Sequence, residues 1–289
     1  MKSRYLINFV LLVLVLVLFW FLNKPSPTSQ QNTVSEITQN EITNIVISRS
    51  GLDSITLQKH ATGWQLISPL QAPANNTRIK LLLSLLTTPI YAQLNQVDSA
   101  KLNQLGFNDA STIVQFNDHI FQFGTTEPIS QHRYILHNNS VYLIDDNVAP
   151  LLKANAASFI DNKLIPLKRP ISKISLPTIN QQQEWSRKNI IIEQKDGHWY
   201  SDIKTLSADQ LTTLIDAWQH AYALQVLPIG KTTLPESTRH TITIWFDNQT
   251  DPIELELQYD SRTLYLSYYS LNLSYQLPIS LRQQLFPNP

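Results

Sequence analysis

From Ile42 to Phe286 the chain runs through the same order of segments twice, and that order limits the folds open to it. The first copy begins Ile42-Thr43-Asn44-Ile45-Val46-Ile47, and the second Ile171-Ser172-Lys173-Ile174-Ser175-Leu176. Each continues with a strand, a Gly turn and a Trp: ITLQKHATGW ending at Trp64, and IIIEQKDGHW ending at Trp199. A helix follows in both. Asn75, Asn76 and Thr77 offer cap oxygens ahead of Ile79, Leu82, Leu83 and Leu86 at helical spacing. In the second copy Ser207 and Gln210 have capping-box spacing, and Leu211, Leu214, Ile215, Trp218 and Tyr222 share one helical face. Two hairpin-like strand pairs come next, starting at Thr112 and Arg133 in one copy and at Thr241 and Arg262 in the other. Short apolar helices near Pro150–Ala157 and Ser280–Phe286 close the copies. Counterparts stay about 128 to 136 residues apart, which predicts a duplication.

The strands alternate. In SLNLSYQL, Leu271, Leu273, Tyr275 and Leu277 face one way and Asn272, Ser274 and Gln276 the other. One buried and one wet face suit an antiparallel sheet backed by a helix on its core side. The expected fold is α+β: two tandem, related, helix-backed antiparallel β modules over residues 41–168 and 169–289.

Ahead of them, Tyr5–Leu22 reads YLINFVLLVLVLVLFWFL, apolar or aromatic except at Asn8. As a helix it rises roughly 27 Å, the hydrocarbon thickness of a bilayer. Lys2 and Arg4 precede it and only Lys24 follows closely, so residues 1–22 are expected to be an anchor with a cytoplasmic N-terminus and the rest outside. No A-x-A cleavage pattern follows Leu22. Residues 23–40, rich in Pro, Ser, Thr, Gln and Asn, are expected to be a flexible tether.

The charge balance of 22 basic and 22 acidic residues gives no overall attraction for nucleic acid. The absence of cysteine removes disulfides, thiolate metal sites and cysteine nucleophiles. Gly230-Lys231-Thr232 resembles the end of a phosphate loop, but the glycine needed five residues earlier is Gln225. Among the seven histidines, His132 and His137 should point to opposite faces of a strand, and Asp216–His220 reads as a surface pair at i, i+4. Asp145-Asp146 and Glu254/Glu256 are the obvious carboxylate pairs and read as solvated charge. Tyr265 and Tyr269 could form a contact patch on the outer face of their sheet.

The first module is similar to a known family. Its anchor, Gly63-Trp64-Gln65-Leu66-Ile67-Ser68-Pro69, the Leu81–Leu86 helix, Leu105-Gly106-Phe107, Phe123-Gly124, Arg133-Tyr134-Ile135, Val141-Tyr142-Leu143 and Phe159–Leu164 resemble the bacterial membrane-anchored domain of unknown function 4340 over about Ile42 to Leu167. The resemblance implies an inner-membrane protein with a periplasmic body, accessory to an export-type ABC transporter. It brings no catalytic residues, metal or cofactor.

The resulting expectation is a non-enzymatic interaction module, held at the bilayer by Tyr5–Leu22 and working with a membrane-protein partner. Two alternatives are kept. One is an envelope enzyme with a site between the modules near Asp161, Arg187 or His198; the other is a glycan or small-ligand binder using Trp185, Trp199 or Trp245.

Overall fold

A computed structural model describes residues 12–15, 19, 32–109, 111–165, 169–180, 182, 184–230, 239–247 and 251–288. Two antiparallel sheets dominate a mixed α+β fold. The first contains β1 (Asn44–Arg49), β2 (Leu52–His60), β3 (Gly63–Ser68), β4 (Ala72–Pro73), β5 (Ile90–Asn95), β6 (Thr112–Phe116), β7 (His119–Thr126), β8 (Arg133–His137) and β9 (Ser140–Ile144). Its strand order is β4-β3-β2-β1-β6-β7-β8-β9-β5. The second contains β10 (Ile171–Ile179), β11 (Trp185–Lys195), β12 (His198–Ser201), β13 (Gln225–Pro228), β14 (His240–Phe246), β15 (Ile253–Tyr259), β16 (Thr263–Tyr268) and β17 (Leu273–Pro278), in the order β12-β11-β10-β14-β15-β16-β17-β13. With the two-residue β4 set aside, the two orders are the same. In each, the strand that follows the long helix crosses to the far edge.

The helices are α1 (Asn76–Leu83), α2 (Ser99–Gln104), α3 (Ala149–Lys153), α4 (Ala208–Gln219) and α5 (Arg282–Leu285). Asn75 caps α1 by accepting the N–H groups of Thr77 and Arg78, and Ile79, Leu82 and Leu83 are buried beneath it. Ser207 and Gln210 cap α4 reciprocally, and its buried stripe is Leu211, Leu214, Ile215 and Trp218. Tyr222 departs from expectation. The helix stops at Gln219, and Tyr222, 48% exposed, pairs instead with Lys163. The strands β5 and β13 were not expected either. All but the first residue of β5 are exposed, and β13 is four residues ending at Pro228, so neither carries a period-2 signal.

Inward residues of both sheets meet in one apolar cluster that takes in Ile45, Leu57, Phe116, Ile174, Trp218 and Leu266. The segment between the sheets is itself hydrogen-bonded at both ends. Asp161 N–H donates to Pro73 O at 2.8 Å and Asn75 N–H to Phe159 O at 2.7 Å. Beyond them, Leu164 N–H donates to Ala221 O and Ala223 N–H to Asn162 O.

A second, smaller cluster covers the outer face of the first sheet, where Leu105, Phe107 and Val141 pack with Leu102 of α2, Tyr134 and Leu136. Two glycines make this contact possible. A Cβ on Gly124 would lie 2.4 Å from Leu105 O, and one on Gly106 (φ +87°) would lie 2.6 Å from Thr125 Cγ2.

The expected tether is shorter than residues 23–40. Val34 is 3% exposed, its N–H donates to Thr88 O, and Asn32 O accepts Ile90 N–H. Burial of Val34, the Thr33–Pro89 bridge and the Thr38–Glu41 capping box fix the chain from residue 32 onward. Residues 23–31 then reach about 30 Å at most. No helix among the described residues is long and apolar enough to cross a membrane. The expected span Tyr5–Leu22 lies mostly outside the described residues; its described parts, Leu12–Val15 and Phe19, are helical and exposed.

Candidate functional site

The segments that join the sheets also enclose a cleft of about 350 Å³. Asn75 and Arg78 come from the start of α1, Asn155 and Ser158 from the turn after α3, Asn162 from the connecting segment, and Gln225 from β13. The side-chain oxygens of the two capping asparagines are already used. Asn75 Oδ1 accepts Thr77 and Arg78 N–H, and Asn155 Oδ1 accepts both the N–H and the hydroxyl of Ser158. What these amides have left is their nitrogen, a donor. Asn162 Nδ2 donates to Ala223 O at 3.1 Å. Arg78 is half-buried, and its guanidinium has no hydrogen-bond or ion-pair partner among the described residues. None of the lining residues is a carboxylate.

The residues expected to mark an inter-module active site do not converge. Asp161 adjoins the cleft without lining it; burial raises its pKa, opposed by the Lys163 N–H that donates to Oδ1 at 3.2 Å. Burial, with the Asp161 charge second, pushes the Tyr275 hydroxyl up to about 12. His198 is exposed on β12, the edge strand at the other end of the second sheet. The side chain of Arg187 lies outside the described part.

The three tryptophans also separate. Trp185 packs edge-on against Phe286 at 4.7 Å with the Arg282 guanidinium 4.6 Å from its ring centre. Trp199 is half-buried against the core. Only Trp245 sits on the outer face of the second sheet, with Lys173 Nζ 4.9 Å over the ring. There Trp245, Lys173, Glu193 and Tyr200 pair across four neighbouring strands, and Lys173, Glu193 and Tyr200 line a shallow groove of about 500 Å³. Its charges are largely satisfied from within: Lys195 pairs with Glu193, and Asp202 Oδ1 accepts Ile191 N–H.

The remaining candidates have local partners. Tyr265 OH donates to Asp260 and Tyr269 OH to Glu256, each at 2.9 Å. Asp146 pairs with Arg133, while Asp145 accepts Tyr91 OH and lies 3.3 Å from His132 Nε2, so the acidic pair is divided. Asp216 and His220 form an exposed pair at 3.1 Å. Gly230 is described outside any strand or helix, and Lys231 and Thr232 lie outside the described residues. Among the described residues no group of three or more His, Asp or Glu could hold a metal.

His132 and His137 separate, but not as two faces of one strand, since His132 precedes β8. His132 stacks on Tyr91 at 3.9 Å, whereas His137 is buried, stacked on Phe121 at 4.0 Å, with Nδ1 bonded to Ile120 O at 2.8 Å. Burial pushes the His137 imidazole below its ordinary pKa of 6.5; the Ile120 bond opposes this and the His119 charge adds to it. The unfolded chain therefore binds this proton more readily, so stability falls as the pH drops through about 6.5. Urea midpoints measured from pH 7.5 to 5 should decline for the parent chain and decline less for His137→Gln. Equal slopes would show that His137 is not the group responsible.

A family model described as "Domain of unknown function (DUF4340)" matches residues 64–239. The chain belongs to the DUF4340 family. The DUF4340 match begins in β3, crosses the boundary expected at 168/169, and ends just before β14. The resemblance read from sequence over Ile42–Leu167 therefore stopped short. All residues lining the junction cleft fall inside the DUF4340 match, whereas Trp245, Tyr265 and Tyr269 fall outside it. Neither the curated proteins nor the solved structures gave a match. None of the cleft residues was expected to form a site: Asn75 was read as a helix cap, Gln225 as the residue that breaks a phosphate-loop pattern, and Ile160 and Asn162 only as part of the Phe159–Leu164 resemblance. The polar ones carry no motif of their own, and the return of β13 to the far edge brings Gln225 to the others.

Proposed function

We propose that this DUF4340 chain is a non-enzymatic, membrane-tethered interaction module. In this reading its body stands on the outer side of a bacterial inner membrane, and it is accessory to an ABC-type transporter or a similar envelope complex. One observation carries the reading. Among the described residues the edge strand β5 pairs with β9 and, past the Asn32 bond at its first residue, with no other strand; from Tyr91 to Asn95 it is exposed, with Tyr91 57% and Leu94 43% accessible. An unpaired edge with apolar side chains is a template for adding an extended segment from another chain.

Asn32–Val34 bonds to Thr88–Ile90, at the very start of this strand. With Tyr5–Leu22 in lipid, the short tether keeps β5 within about 30 Å of the bilayer, within reach of the outer loops of a membrane protein. The exposed apolar residues Leu12–Val15 and Phe19 are consistent with burial in lipid. The partner is taken to be a membrane subunit offering an extended segment. A second reading, capture of a small ligand between the sheets, is favoured by the donor-lined cleft.

Affinity purification of the full chain in mild detergent should recover a transporter-type membrane subunit. Replacing Tyr91 and Leu94 together by Lys should reduce that recovery about tenfold, while the thermal midpoint falls only by what the surface contacts of Tyr91 with Asp145 and His132 contribute. Recovery of the chain alone, or full recovery with the double variant, would remove β5 as the docking edge.

A further inference from the structure

We propose that the junction cleft is a binding site for the oxyanionic group, carboxylate or phosphate, of a small solute. This inference is independent of the membrane role. Asn75 and Asn155 have consumed their side-chain acceptors on nearby N–H and O–H groups, so each has an amide nitrogen left to donate. Arg78 adds a half-buried guanidinium with no counter-charge among the described residues. No carboxylate lines the space, and at about 350 Å³ it admits a small solute.

The positive charge extends past the cleft wall. Arg49 Nη1 donates to Ala154 O, next to Asn155, and its buried Nε has no partner among the described residues. Asp161 is the nearest acid by sequence to a lining residue, but its carboxylate is influenced by Lys163 and not by Arg78. A partly desolvated cation beside surplus donors is poorly compensated by the protein itself. A ligand with two or more acceptor oxygens and a negative charge meets each of these groups at once. A guanidinium suits carboxylate and phosphate alike because its parallel N–H groups match two oxygens. A neutral polyol would leave the charge unanswered.

The arrangement also depends on both sheets. Asn75 and Arg78 lie at the start of α1 and Asn155 and Ser158 in the turn after α3, on segments connected to the first sheet, and Gln225 is the first residue of β13 in the second. A bound anion would bridge the two and stabilise the folded chain by mass action.

The test uses the full chain in a non-ionic detergent at low, matched ionic strength. Inorganic phosphate, sn-glycerol 3-phosphate and N-acetylglycine are each titrated by calorimetry, with thermal midpoints recorded in parallel; glycerol and sodium chloride serve as controls. At least one of the three anions should bind and raise the midpoint. Arg78→Gln should weaken that binding about tenfold or more, the scale of a lost charge-assisted contact. Asn155→Asp is the second variant. It keeps an oxygen to cap Ser158 but replaces the free donor by a carboxylate oxygen, so the turn is retained and binding is lost. Binding by the two phosphates alone assigns a phosphoryl ligand, and binding by N-acetylglycine alone assigns a carboxylate. Absence of binding by all three, or unchanged affinity in both variants, overturns the site.

Discussion

Gly124→Ala should lower the stability of this chain by about 3 kcal/mol, the upper range for forcing a group into packed space. The new methyl would sit 2.4 Å from Leu105 O and 3.0 Å from the Phe107 ring. It cannot be accommodated by a side-chain rotation, because the first obstacle is a backbone carbonyl. That carbonyl also accepts Thr125 N–H at 2.7 Å and Thr125 Oγ1–H at 3.0 Å, so moving it breaks the contact between the α2 excursion and β7. Urea denaturation supplies the measurement, with Gly51→Ala as control. Gly51 has φ +71° but nothing within 4 Å, so its substitution carries only the left-handed backbone penalty of about 1 kcal/mol. A Gly124→Ala loss no larger than the control's would mean that the α2 excursion is not packed on β7 in this way.

Trp218→Ala should cost more, about 4 kcal/mol. The indole is 0% exposed, meets Phe286 edge-on at 5.7 Å, and its Nε1–H donates to Leu285 O. It thus clasps the C-terminal turn α5 to α4. Trp218→Phe separates the two contributions: most of the apolar volume remains while Leu285 O loses its donor, a change of about 1–3 kcal/mol. Amide exchange should accelerate first at Leu285 and Phe286 in both variants. Protection there equal to the parent's would show that the C-terminal turn is held by other contacts.

The alternating strands of the hairpin pairs starting at Thr112 and Arg133 and the helices capped by Asn75 and Ser207 were legible, because each writes its period or its cap into a few consecutive residues, whereas α2, capped by Asp98, was not expected. What was not legible depends on partners far along the chain. β5 is a strand only because Ile90–Asn95 lies along β9, some fifty residues later. Tyr222 leaves its helical face because Lys163 offers a bridge. Residues 32–34 read as tether by composition, yet a single apolar side chain, Val34, with two backbone bonds to Thr88 and Ile90 holds them down. The cleft was least visible of all, since nothing in Asn75, Arg78, Asn155 or Gln225 taken singly distinguishes them from surface polar residues.

The segment between the sheets is stitched by backbone bonds to β4 on one side and to Ala221–Ala223 on the other. A connection of that kind transmits displacement. Asn162 lines the cleft and also accepts Ala223 N–H, so a shift of either half against the other would change the spacing of the donors held between them.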